Sequence, residues 1–156
     1  MTNAPITVYV KGTPRPQPRP RLVNGHAIST GSKVAKAYRT AVLAACKAAR
    51  AKKGQIEGPV ALELDLWFAY GRFNERAGLP HTIRPDGDNV LKLWQDCAQK
   101  AELMIDDSQV AYTLVRKRWS ADAGALLRLT AFGDDPETTP DDDDDLGVLT
   151  GALDVV

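Results

Sequence analysis

Eleven acidic residues fall within the first 132 positions, and four of them form two tight pairs, Asp86 with Asp88 and Asp106 with Asp107. Asp86-Gly87-Asp88 sets two carboxylates two residues apart, and Gly87 permits a backbone bend between them. Hard oxygen donors of this kind suit Mg2+ or Mn2+, which take few protein carboxylates and keep positions open for water and substrate phosphate. The chemistry that follows is metal-assisted hydrolysis of a phosphodiester. A plainer reading uses the same residues, with Asp88 as a helix N-cap and Asp106-Asp107 as a turn into a strand. Lys92, four residues after Asp88, shares its helix face either as an ion-pair partner or as a cation beside a reacting phosphate. Asp96 continues that face and is read as structural, pairing with Lys92 or Lys100. His81, five residues before Asp86, is assigned no catalytic role, because water activated by a metal needs no separate strong base.

The basic residues set the context for those acids. All 20 Lys and Arg lie within residues 1–132, which carry a net +9; residues 133–156 hold nine acids and no base. The formal charge of zero therefore hides a basic body and an acidic segment. Eleven bases precede the first acid, Glu57, so the front of the chain fits a polyanionic partner. Candidates for phosphate contact are Arg15, Arg19, Arg21, Lys33, Lys36, Arg39, Lys47, Arg50 and Arg84.

The elements that must position these groups are legible from pattern. Ile6–Val10 reads as a strand. Four prolines at every second position from Pro14 to Pro20 forbid helix and favour an extended path, with Arg15, Gln17 and Arg19 projecting between them. Asn24-Gly25 marks a hairpin. A helix capped by Thr30 or Ser32 runs to about Lys53, with Val34, Tyr38, Ala41, Val42, Ala45 and Ala49 on its apolar face. Lys36, Arg39, Lys47 and Arg50 form a basic stripe on another face. Residues 60–68 alternate as a half-buried strand. A second helix over about Asn89–Ala101 buries Val90, Leu91, Trp94, Cys97, Ala98 and Ala101. Gln109–Trp119 and Ala125–Phe132 read as a closing antiparallel pair across a short turn. Trp67, Tyr70 and Phe73 are read as packing or loop-anchoring residues. The order implies an α+β domain over residues 1–132, a small antiparallel-rich sheet with two main helices packed on it.

Composition narrows the class further. With 156 residues, 44% of them hydrophobic, the chain suits one compact domain. No run is long enough to span a bilayer, and Met1–Val10 lacks the features of a signal peptide. Cys46 and Cys97 have no metal-ligand or disulfide spacing, so a reducing cytoplasm is the expected setting. Residues 133–156 are expected to be disordered by self-repulsion. Their charge equally suits folding back on the basic body as a competitor of DNA, or docking on a protein partner.

The run Arg84-Pro-Asp-Gly-Asp-Asn-Val-Leu-Lys-Leu-Trp-Gln-Asp-Cys-Ala, followed by Met104-Ile-Asp-Asp-Ser-Gln-Val110, resembles the RusA family of Holliday junction resolvases. That family's pattern is D-x-D-N-x-x-K-x-x-x-D, then D-D-x-Q-V, and every spacing is kept. The Lys11-Gly-Thr-Pro-Arg-Pro-Gln-Pro-Arg-Pro-Arg21 segment is similar to the start of many phage and prophage members. The resemblance implies a small homodimer that uses Mg2+ to place paired nicks in four-way DNA junctions. It puts the family's acidic residues on Asp86, Asp88 and Asp107, its lysine on Lys92, and the remaining member of the doublet on Asp106. The rival from another class is a non-catalytic protein of branched DNA, whose aspartates only cap and turn.

Overall fold

The computed structural model describes residues 4–29 and 31–131. The expectations for the acidic segment 133–156 lie outside the described residues. Six strands and two helices follow one another as β1 (Ile6–Lys11), β2 (Pro20–Val23), β3 (His26–Ser29), α1 (Lys33–Lys53), β4 (Val60–Ala69), α2 (Gly87–Lys100), β5 (Val110–Ser120) and β6 (Gly124–Ala131). Single 3-10 turns occur at Asn74–Arg76 and Asp107–Gln109. The class is α+β, as the pattern indicates.

The main sheet runs β1-β6-β4-β5, and β2 with β3 forms a separate hairpin. β6 is antiparallel to both β1 and β4, whereas β4 and β5 are parallel. The expected β5–β6 pair is therefore corrected: β4 lies between them. Val60, Leu62, Leu64 and Leu66 of β4 are at most 1% exposed, so burial on the helix side is best served by placing this strand centrally. Residues 121–123 then step across the end of β4, with Ala123 C=O accepting from Gly12 N–H at 3.0 Å. In the hairpin, Asn24 and Gly25 both take positive φ, 50° and 78°, as a two-residue turn of its twist requires.

Both helices cover one face of the sheet. Tyr38, Val42 and Cys46 of α1 recur at four-residue steps and are buried, as are Val90, Leu93, Trp94, Cys97 and Ala98 of α2. Trp94 Nε1–H donates to the Tyr38 hydroxyl at 3.3 Å, which satisfies two polar atoms inside this layer. Ser32 caps α1, its Oγ accepting from Ala35 N–H at 3.1 Å. Two positions depart from the expected apolar face: Val34 is 58% exposed, and Ala41 is exposed. The helix turns its contact stripe toward Tyr38–Val42–Cys46, which leaves Arg39 and Arg50 half-buried at its margin and Lys36 and Lys47 fully outside. Cys46 and Cys97 are unpaired and buried, and burial pushes the Cys46 thiol up to about 12 and raises Cys97.

The other face of the sheet carries charge. Asp65 accepts from Arg116 Nε at 2.6 Å and from Arg128 Nη1 at 2.6 Å, and Glu63 accepts from Arg116 Nη2 at 2.9 Å. The Asp65 side chain is only 13% exposed there.

Candidate functional site

The proline-rich segment is an extended strap laid along α2, and a single residue laces it to both helices. Pro14 is buried and anchors its start. Gln17 N–H donates to Asn89 C=O at 3.0 Å, and Gln17 Nε2 donates to Asp96 Oδ2 at 2.5 Å. Arg39 Nη1 of α1 donates to Gln17 Oε1 at 3.0 Å. Arg19 Nη2 donates to Asn89 Oδ1 at 2.9 Å. Asp96 thus has the structural role expected of it, but its partner is Gln17 rather than a lysine. Sequence reasoning placed Gln17 between the prolines without seeing this bridge, because both partners are distant in the chain.

Between strap and helix lie two neighbouring clefts. One, of about 820 Å³, is lined by Arg15, Gln17, Arg19, Arg21, Arg84 and Asp86, among others. The next, of about 590 Å³, is lined by Gln17, Arg19, Asp88, Asn89 and Lys92, with Pro18 and Pro20. The Arg19–Asn89 contact is shared by both. Four of the nine candidate phosphate contacts therefore converge around Asp86, and Lys92 stands with Asp88 in the adjoining cleft. Arg39 reaches this region only through Gln17. Lys33, Lys36 and Lys47 stand on exposed parts of α1, and Arg50 is half-buried with its Nε lacking a partner among the described residues.

Helix α2 starts two residues earlier than the pattern suggested. Asp86, not Asp88, takes the N-cap position, with extended φ and ψ of −68° and 138°, yet its side chain makes no capping bond. Its carboxylate is left to the cleft instead. Asp88 sits in the first turn, where the helix macrodipole favours a negative charge. Gly87 packs closely on β5: a Cβ there would stand 3.3 Å from Val115 Cγ1 and 3.5 Å from Lys117 Cδ. The start of α2 is thereby pressed onto β5.

Asp106 and Asp107 occupy the opposite end of that helix. Asp106 caps the 3-10 turn, its Oδ1 accepting from Ser108 N–H at 2.9 Å, while Gln99 Nε2 of α2 donates to its Oδ2 at 3.3 Å. Bonds from the Ser108 side chain and backbone hold the Asp106 carboxyl below the usual range. Gln109 completes the turn: its Oε1 accepts from Ile105 and Asp106 N–H at 2.6 and 3.0 Å, and its Nε2 donates to Gly58 C=O at 2.8 Å. The carboxylate of Asp106 is committed to this turn, which carries Asp107 exposed beside it. From Asp88 to Gln99 the helix advances about 16 Å. Strand β5 gives the same ruler, since Gly87 lies against Val115 and Lys117 while Asp107 precedes Val110. In a single chain Asp107 is thus well removed from Asp86 and Asp88. Among the described residues, no three or more His, Cys, Asp or Glu side chains are grouped to hold a metal ion.

His81 is a packing residue. It is 5% exposed, stacks on Phe68 with ring centroids 3.9 Å apart, and lies 4.4 Å from the Trp119 ring. Burial, and then the Lys117 charge, lower its pKa.

Two adjoining basic clefts, one lined by Asp86 and the other by Asp88, on a two-layer α+β scaffold define a domain suited to a phosphate backbone. The family model for the endodeoxyribonuclease RusA matches residues 11–130, so the chain belongs to the RusA family of endodeoxyribonucleases. No curated protein matches the chain. No helix among the described residues is long and apolar enough to cross a membrane.

Proposed function

We propose that this protein is a Mg2+-dependent endonuclease that resolves four-way DNA junctions by paired symmetric nicks, acting as a homodimer. The observation that carries this reading is the opening of Asp86 and Asp88 into adjoining clefts lined by Arg15, Arg19, Arg21, Arg84 and Lys92. Arginines are suited to grip phosphates through paired N–H donors, and they position the backbone without reading bases. Asp86, Asp88 and Asp107 would hold the cation, with Asp106 fixing the turn that presents Asp107. The donor set fits a hard cation, for these are carboxylate oxygens and two of them have no capping or ion-pair role. Bound there, Mg2+ or Mn2+ supplies a Lewis acid that activates water and offsets charge on the departing oxygen. Lys92 adds a fixed positive charge beside the reacting phosphate.

The homodimer follows from two considerations. A four-way junction is nearly two-fold symmetric, so symmetric nicking calls for two sites related by a two-fold axis. The distance between Asp107 and the Asp86–Asp88 pair within one chain also favours a carboxylate set drawn from two protomers.

A labelled synthetic four-way junction and a matched linear duplex, incubated with the protein in Mg2+ or in EDTA, test the reading. Symmetric nicks in the junction alone, lost in EDTA, are expected. Asp88→Asn should keep junction binding and lose nicking on the order of a hundredfold or more, since even outer partners of a metal site contribute up to that factor. Tight junction binding with no nicking in Mg2+ or Mn2+ would favour the non-catalytic reading, in which Asp106 only caps a turn.

A further inference from the structure

We propose that the turn at residues 72–76 is a second DNA contact of this protein, a stacking surface that receives a base unstacked at the branch point while Arg72 and Arg76 hold the neighbouring phosphates. The inference rests on the junction-directed reading above and adds a binding surface outside the two clefts.

Rings and guanidiniums form one continuous series of contacts from the core to the surface. Phe68 stacks on His81 with centroids 3.9 Å apart, and His81 lies 4.4 Å from the Trp119 ring. The Arg76 guanidinium carbon sits 5.1 Å from the Trp119 ring centre and 4.9 Å from that of Phe73, and Arg72 reaches the Phe73 ring at 5.2 Å. His81 is buried, but Phe73 is 42% exposed. The sequence pattern assigns Phe73 to loop anchoring; the structure instead leaves it open to solvent with two positive charges over its ring. Neither arginine has an ion-pair partner among the described residues, Glu75 of the same turn included. The turn is held by its own backbone. Phe73 N–H donates to Tyr70 C=O, Arg76 N–H to Phe73 C=O, Ala77 N–H to Asn74 C=O and Leu79 N–H to Arg76 C=O, each at 3.0 Å. Such preformed order reduces the entropy lost on binding.

This series is tied to the start of α2. Trp119 N–H donates to Leu79 C=O at 2.9 Å and His81 N–H to Lys117 C=O at 3.0 Å, while Lys117 Nζ donates to Ile83 C=O at 2.8 Å. Lys117 is also a residue against which Gly87, between Asp86 and Asp88, is packed. Trp119 follows Lys117 by two strand residues, about 7 Å. A strand gripped at the Asp86 cleft thus has the turn within reach of its adjoining nucleotides.

Charge selects the occupant. Residues 70–85 carry three arginines and one acid, and exposed Arg118 lies beside them on β5. An anionic ligand is therefore favoured over an apolar protein partner. Among polyanions, a ring with guanidiniums over it suits nucleic acid that offers a free base face, because stacking on aromatic rings and arginine planes accepts any base. In linear duplex both faces of each base are already stacked on its neighbours. An opened four-way junction interrupts that stacking where its arms meet, and the nucleotide freed there is the one the turn receives.

Fluorescence anisotropy of the full-length chain in EDTA tests the surface with three labelled DNAs: a four-way junction, a matched linear duplex and a single-stranded oligonucleotide. Phe73→Ala should weaken binding to the junction and the single strand by roughly tenfold, the loss expected of one stacked base, and leave duplex binding within about twofold. Phe73→Leu keeps the apolar bulk and with it the turn, yet should lose as much as the alanine. Arg72→Ala should lower the slope of log junction affinity against log salt by about one, as one lost phosphate contact does. Lys52→Ala, an exposed α1 position outside both clefts, should leave that slope unchanged. The surface is overturned if Phe73→Leu binds the junction like wild type, which would make Phe73 a loop anchor. An equal loss on all three DNAs overturns it as well. A junction preference kept in full by Phe73→Ala sinks this surface alone, whereas a wild-type chain that binds junction no more tightly than duplex sinks the junction-directed reading and the surface with it. None of these readouts uses metal or nicking.

Discussion

Asp65 illustrates how a single carboxylate is kept charged inside a protein. Burial alone would raise its pKa, but hydrogen bonds and charge from Arg116 and Arg128 overcome that and hold it below the usual carboxylate value. A carboxyl depressed by folding contributes stability that is present above its unfolded pKa, near 3.9, and lost as pH falls through the lower folded value. Asp65→Asn should therefore destabilise the domain by about 2–3 kcal/mol at pH 7, somewhat less than a fully buried pair because both guanidiniums keep contact with water. Denaturant unfolding of wild type and variant should show the gap narrowing as pH drops below about 4. A gap unchanged at pH 3 would mean that the two arginines do not hold the carboxylate charged. Alternation in β4 marked Asp65 only as one of the polar-face residues; its burial arises because Arg116 and Arg128, each more than 50 residues further along the chain, flank it from the two neighbouring strands. Asp86 shows the opposite case, a carboxylate at an N-cap position whose side chain makes no cap. Only the geometry separates it from Asp106, which does cap.

At the scale of elements, local chemistry was read well and pairing was not. The two-residue turn at Asn24-Gly25, the Ser32 cap and the contact positions Tyr38 and Val42 were legible because each depends on residues within a turn or two, whereas Cys46 was missed and Val34 and Ala41 turn outward. The position of β4 between β5 and β6 was not, since a three-residue connection normally joins neighbours and nothing local states that a buried strand lies beneath it. The strap is the intermediate case. Its prolines dictate an extended path, but its place against α2 depends on Gln17 joining Arg39 to Asp96. Gln17→Ala removes both side-chain bonds while leaving every arginine in place. It should weaken junction binding by roughly tenfold, as about 1.4 kcal/mol lost from strap ordering implies. Junction titration by fluorescence anisotropy, paired with a thermal melt, reads this. Unchanged affinity with a lowered melting temperature would show that the strap serves the fold alone.

For the whole molecule, charge is the property that composition states most clearly and that the fold then organises. The +9 body gathers Arg15, Arg19, Arg21 and Arg84 at one cleft, while the nine acids of residues 133–156 share the same chain. A tethered acidic segment competes for a basic cleft at an effective concentration in the millimolar range, far above that of DNA in a binding assay. The competition is electrostatic and is screened within about 10 Å at 0.1 M salt. Deleting residues 134–156 should therefore tighten junction binding by roughly tenfold at low salt, and the gain should fade as salt rises. The same comparison at several salt concentrations separates this from a general change in charge. If the acidic segment competes for the cleft, DNA binding by the full chain should be less steeply salt-dependent than that of the truncated one, because the competition itself weakens as salt rises and partly offsets the loss of DNA affinity. Equal affinities at low salt would rule out self-inhibition and leave the acidic segment to a protein partner or to solubility.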